Sequence, residues 1–166
     1  MKTSIRLLLI ACLSLPALVA CKKEEAPQKV EKAPLTAPAS ADDEKAWEAY
    51  VIDVVQRRVE ADGLNTNPYV YFLPPESKPG FEDEYNRLLE KATADASRGI
   101  TAGNMLVFAS PSSAKMADLV VAAFAKAQEG SMKGVKLYFI GKPEDSERVK
   151  AAVSPAGVDY AFIEAK

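Results

Sequence analysis

The chain has 166 residues, 21 basic and 23 acidic, a formal net charge of -2 and a 48% hydrophobic fraction. A mildly acidic chain lacks the cation density that drives counterion release from a phosphate backbone, so nucleic acid is not an expected partner. There is no histidine, which removes the commonest general base, the commonest zinc ligand and every Ser-His or Cys-His pair; no cofactor or metal is expected.

Lys2 and Arg6 precede an apolar run from Leu7 to Val19, interrupted only by Ser14 and Pro16. A basic start, an apolar middle and small residues make a secretory signal. The run is too short and too abruptly followed by Lys22-Lys23-Glu24-Glu25 to cross a bilayer, which takes roughly 20 apolar residues. A cysteine follows directly on Leu18-Val19-Ala20, and Leu18-Val19-Ala20-Cys21 resembles the lipobox of bacterial lipoproteins. The resemblance implies removal of residues 1–20, acylation of Cys21, palmitate included, and a membrane anchor. Lys22 rather than Asp after the cysteine looks like export to a Gram-negative outer membrane, with the domain in the periplasm. Loss of Lys2 and Arg6 leaves 19 basic against 23 acidic residues, a charge of -4. With Cys12 discarded and Cys21 acylated, no thiol is left for a disulfide or for nucleophilic chemistry.

Residues 21–41 hold the lipidated cysteine and a Pro/Ala/charged stretch without apolar periodicity, the composition of a disordered tether. A flexible coil of this length spans about 25 Å. Residues 42–166 form the expected single domain, long enough to fold without disulfides.

Within that domain Asp42-Asp43-Glu44 suits the positive end of a helix. Trp47, Tyr50, Val51, Val54, Val55 and Val59 follow at helical spacing, and Asp62-Gly63 supplies the stop. Asp62, Asn65 and Asn67 do not match a calcium loop and read as a turn. Tyr69–Leu73, bracketed by Pro68 and Pro74-Pro75, is a short strand. A second helix after Pro79-Gly80 carries Phe81, Tyr85, Leu88, Leu89, Ala92 and Ala96 and ends at Gly99. Met105–Ala109 is continuously apolar and suits a central parallel strand. Ser110-Pro111-Ser112-Ser113 turns into a third helix closed by Gly130. A strand over Val135–Ile140, a short helix after Lys142-Pro143 and a last strand over Val158–Ile163 complete the chain.

Strands alternating with helices imply an α/β fold: an N-terminal helix, then β-α-β-α-β-α-β. The sheet is small, four-stranded and mostly parallel, with helices on its faces and right-handed crossovers. The strand order expected is 2-1-3-4. Asp159 in the last strand marks an edge, because a buried lone carboxylate is costly.

In open parallel sheets ligands bind beyond the carboxyl ends of the strands. Two helix starts on that rim carry their own acids, Glu82-Asp83-Glu84 and Glu144-Asp145-Glu147, which satisfy the dipole and repel an anion. Only the helix at Ser112-Ser113-Ala114-Lys115 begins without acids, with Ser110, Ser112, Ser113 and Lys115 around it. These four are the candidate ligand-binding residues, set against the plainer reading that Ser112 or Ser113 is an N-cap. No catalytic residue is assigned. Ser112-x-x-Lys115 matches the S-x-x-K element of penicillin-binding proteins and serine β-lactamases, but Lys-Thr-Gly and Ser-Asp-Asn are absent. The leading expectation is a non-catalytic binding or interaction module, anchored to the membrane through Cys21, with an envelope protein or cell-wall component as partner. A small-anion or metabolite binder at Ser110–Lys115 is the alternative, and a Ser-Lys hydrolase the third.

Overall fold

The computed structural model describes residues 35–65 and 67–166. The signal, the Leu18–Cys21 motif and the tether as far as residue 34 lie outside the described residues.

Each helix begins and ends where its local chemistry directs. The first, α1 (Glu44–Asp62), starts at Asp43, whose carboxylate accepts the Ala46 N–H at 3.1 Å. It stops at Gly63, which takes a left-handed φ of 62° and returns its N–H to the Val59 and Glu60 carbonyls; glycine pays no Cβ penalty there. Strand β1 (Tyr69–Phe72) leads into α2 (Phe81–Arg98), which carries Glu82, Asp83 and Glu84 in its first turn and Arg98 in its last, as the dipole prefers. β2 (Met105–Ala109), α3 (Ser113–Phe124), β3 (Lys136–Gly141), α4 (Pro143–Val153), a single 3-10 turn (Ser154–Ala156) and β4 (Asp159–Glu164) follow.

The sheet is parallel throughout, with strand order β1-β2-β3-β4. This corrects the expected order 2-1-3-4. Both orders satisfy right-handed crossovers, but they distribute helices differently. When every crossover steps to the same side, right-handedness puts every crossover helix on the same face. Accordingly α2, α3 and α4 bury Ala92, Ala96, Met116, Leu119, Val120 and Val149 against Tyr71, Leu106, Phe108, Leu137 and Phe139. The opposite face is left to α1 alone, which sets Trp47, Tyr50, Val51, Val54 and Val55 on Met105, Val107, Ala109, Tyr138 and Ile140. Strand alternation sorts the two sets, so β2 is buried at all five positions. Asp159 is exposed on the edge strand β4, the position its charge called for.

Two polar ties pin these layers. The Tyr138 hydroxyl donates to Asp62 at 2.6 Å, fastening the end of α1 to β3, while the Arg58 guanidinium lies 5.6 Å from the centre of the same ring. Burial and the Asp62 carboxylate push that hydroxyl up to about 12, so it remains a donor. On the other face Tyr71 stacks on Phe108 with ring centres 4.5 Å apart and donates to Asp95 on α2 at 2.8 Å. Lys91 reaches the same carboxylate at 2.9 Å, and Arg98 bonds its second oxygen.

The end of the expected tether lies on the domain. Leu35 and Ala37 pack beside the α1 layer, the Ala37 N–H donates to the Lys166 carbonyl at 2.8 Å, and the Trp47 indole N–H donates to the Ser40 carbonyl at 3.1 Å. Leu35, Ala37 and Ser40 therefore make contacts with the fold ahead of the boundary expected at 42.

Asp95 makes the fold sensitive to acid. Burial, at 9% exposure, opposes its charge, yet Lys91, Tyr71 and Arg98 outweigh burial and hold its carboxyl below the ordinary value of 3.8. A depressed folded value means that its stabilisation is complete above about pH 4 and drains as pH falls through the folded value. Asp95→Asn should therefore lose less stability than wild type between pH 4 and 2. Urea unfolding across that range checks this, and parallel acid limbs would contradict it.

Candidate functional site

The carboxyl rim is built from the three loops that follow β1, β2 and β3, and the serines singled out in the sequence lie where those loops meet. Ser110 is buried, and its Oγ accepts the Ser112 N–H at 2.9 Å, a local serine turn that sets the start of α3. Ser112 occupies the N-cap position, with its carbonyl accepting the Met116 N–H at 3.1 Å, but its side chain makes no bond to its own helix. Its Oγ accepts instead the N–H of Glu76, in the loop after β1, at 3.0 Å. The expected side-chain cap at Ser112 or Ser113 is thus replaced by ties between loops.

Ser113 makes the tightest of these ties. Its Oγ accepts the Lys142 N–H at 2.9 Å and donates to Asp145 Oδ2 at 2.6 Å. Lys142 is the N-cap of α4 and has no side-chain oxygen to cap with. In an ordinary capping box the acid at the third helical position would reach back to the N-cap N–H. Here Asp145 holds that position, and Ser113 at the start of α3 stands between the two. The hydroxyl relays the box, and in doing so fastens α3 to α4.

Close approach makes the relay possible. A Cβ on Gly141 would lie 2.6 Å from Ser113 Oγ and 2.9 Å from the Phe139 ring, so only glycine fits the end of β3. Arg148 completes the arrangement. It donates to Asp145 Oδ1 at 2.8 and 3.1 Å and to the Ala114 carbonyl at 2.8 Å, and it also bonds Asp118 on α3.

Lys115 pairs with Glu76 Oε1 at 3.2 Å. The Glu76 bond raises its proton affinity above the ordinary lysine value. That is the wrong direction for a lysine that must be neutral to accept a proton from serine. Ser112 and Lys115 each bond Glu76, one its backbone and the other its carboxylate, and no bond joins them. The depression next to this cluster, about 390 Å³, is lined by Glu76, Lys78, Gly80, Phe81, Glu82 and Asp83, an acid-rich wall.

Cys21 lies outside the described residues. Among the described residues there is no group of three or more His, Cys, Asp or Glu able to hold a metal ion. No helix among them is long and apolar enough to cross a membrane.

Sequence reasoning missed Asp145 and Arg148 as members of this cluster. Asp145 was assigned only to the helix dipole, and a bond across 32 residues leaves no local pattern. Asp95 did have a signal, because it falls three residues after Ala92 and one before Ala96 on the buried stripe of α2.

Comparison with protein-family models, with curated proteins and with solved structures finds no match for this chain.

The rim bonds predict unequal costs. Ser113→Ala strands a buried carboxylate oxygen and the Lys142 N–H together, and should cost about 2–3 kcal/mol. Ser112→Ala frees an N–H that water can reach, and should cost about 0.5–1 kcal/mol. Chemical denaturation of the two variants checks the order, and equal losses would remove the special role of Ser113.

Proposed function

We propose that the chain is a membrane-anchored lipoprotein of the cell envelope whose α/β domain is a non-catalytic interaction module facing the periplasm. The observation that carries the reading is the run Leu18-Val19-Ala20-Cys21 behind a basic start and an apolar stretch. Acylation of Cys21 would fix the chain to a membrane, with the polar residues from 22 onward as spacer. An envelope protein or a cell-wall component is the partner class that such an anchor brings within reach.

The rim supports interaction over catalysis. The hydroxyls of Ser110, Ser112 and Ser113 are bonded within the protein, and Lys115 is held protonated by Glu76. A small anion at this rim would have to displace those internal bonds and approach Glu82 and Asp83, which works against the metabolite-binding alternative. A Ser-Lys hydrolase would need Lys115 to give up its Glu76 partner and turn to Ser112.

The anchor is tested by growing cells with a clickable palmitate. Wild-type protein should take up label and stay with membranes in high salt, because several acyl chains together anchor stably where one is marginal. Cys21→Ala should lose the label and either leave the membrane or remain unprocessed. Equal labelling of the two proteins would overturn the proposal.

A further inference from the structure

The two edges of the sheet are finished differently. The β4 edge carries the charges Asp159 and Glu164, and residues 35–37 close its far end through the Ala37–Lys166 bond. Charged side chains and covering loops are the usual protections of an edge. The β1 strand itself, Tyr69–Phe72, carries no charged residue. Tyr69 and Val70, 39% and 43% exposed, are two of the four large exposed hydrophobic residues of the described chain, and they are adjacent on this strand.

The backbone of β1 is open on the same side. Leu73 donates its N–H to the Ala109 carbonyl on β2 at 3.1 Å. In a parallel ladder alternate residues turn toward the same neighbour, so Tyr69 and Tyr71 face β2 along with Leu73. The N–H and C=O of Val70 and Phe72 therefore point away from the sheet. Pro68 and Pro74 bracket this open edge and limit it to a few residues.

Helix α2 packs on the face of the sheet that carries Tyr71, with Lys91 Nζ 4.3 Å from the centre of the Tyr71 ring. A shallow depression of about 280 Å³ lies between α2 and the end of β1, lined by Phe72, Pro74, Glu84, Arg87, Leu88 and Lys91. The four helix residues recur at the spacing of a single stripe, so the helix presents one face along the edge.

The charge of that face selects the occupant. Glu84 is paired with Lys78 at 3.2 Å, and Lys91 with Asp95 at 2.9 Å. Arg87 is exposed and makes no ion pair among the described residues. It sits beside Leu88 on the exposed side of α2.

We infer that the open edge of β1 beside α2 is a docking groove for an extended, acidic peptide segment of a partner protein, which joins the sheet as a fifth strand. Its backbone pairs with Val70 and Phe72. Alternate side chains turn toward α2, an apolar one against Leu88 and an acidic one toward Arg87, the mode in which backbone bonds supply affinity and alternate pockets supply specificity. The inference rests on the interaction-module reading and names its surface.

The test titrates the full-length chain in detergent solution with three synthetic peptides: Ac-EVEVE-NH2, Ac-KVKVK-NH2, and the acidic peptide N-methylated at alternate amides. Nuclear magnetic resonance should show the Val70 and Phe72 amides shifting and their solvent exchange slowing with the acidic peptide. The lysine and N-methyl peptides should bind at least about tenfold more weakly, the first by charge and the second by lost backbone bonds. Arg87→Glu, a surface change, should reverse the preference between the acidic and lysine peptides. No response at Val70 and Phe72 to the acidic peptide, or an equal response to all three, would overturn the inference. A concentration-dependent dimer that protects the same two amides would also overturn it, and would give the edge to a second copy. The assay needs no cell, so its failure is separable from failure of the acylation experiment.

Discussion

Every crossover of this sheet steps in the same direction, from β1 to β2 to β3 to β4. With right-handed connections that constraint places α2, α3 and α4 on one face and leaves the other to whatever the chain has already supplied. What it has supplied is α1, a single helix that must cover a four-stranded sheet. The residues it buries answer that demand: Trp47 and Tyr50, edge to face with ring centres 5.7 Å apart, together with Val51, Val54 and Val55. Large rings cover more sheet per helical turn than aliphatic side chains do. Leu35 and Ala37 extend the cover toward β4, which gives the segment before α1 a place in the fold.

The same constraint shapes the rim. In doubly wound sheets the strand order reverses, adjacent loops diverge to opposite faces, and a crevice opens between them for a ligand. Here the order never reverses, so successive loops leave toward the same face and lie against one another. Ser112 binds the loop after β1, and Ser113 binds the loop after β3. The polar groups that would line a crevice in a reversing sheet are spent on one another. Such a network is stable only when its members are satisfied, and Asp145 meets this condition with bonds from Ser113 and Arg148. The surface proposed for a partner lies instead at the side of the sheet, on the edge strand β1 beside α2.

Much of this architecture can be read from the residues. Met105–Ala109 has no polar position to turn outward, and a strand of that kind must be central; Asp159 cannot be buried alone, and its strand must be at an edge. Gly63 and Gly99 end α1 and α2 where the apolar spacing stops. Strand order was not legible, since four amphipathic helices suit either winding and only the sharing of faces distinguishes them. The serines were legible as a cluster but not as loop ties. Ser113 and Asp145 are 32 residues apart in sequence, with α3 and β3 between them, and a serine at a helix start looks the same whether it caps its own helix or its neighbour's. Ala37 was hidden by composition: a Pro- and Ala-rich stretch reads as a coil until the carbonyl of Lys166 is found opposite its N–H.

The winding is tested most directly by cross-strand backbone contacts in solution. Nuclear Overhauser effects should link β1 to β2, through pairs such as Tyr71 and Phe108, and β2 to β3, through pairs such as Val107 and Tyr138. None should link β1 to β3. Contacts between β1 and β3 would show that the order reverses, which would send a crossover helix to the α1 face, open a crevice at the rim and return the serines to the position of a ligand site.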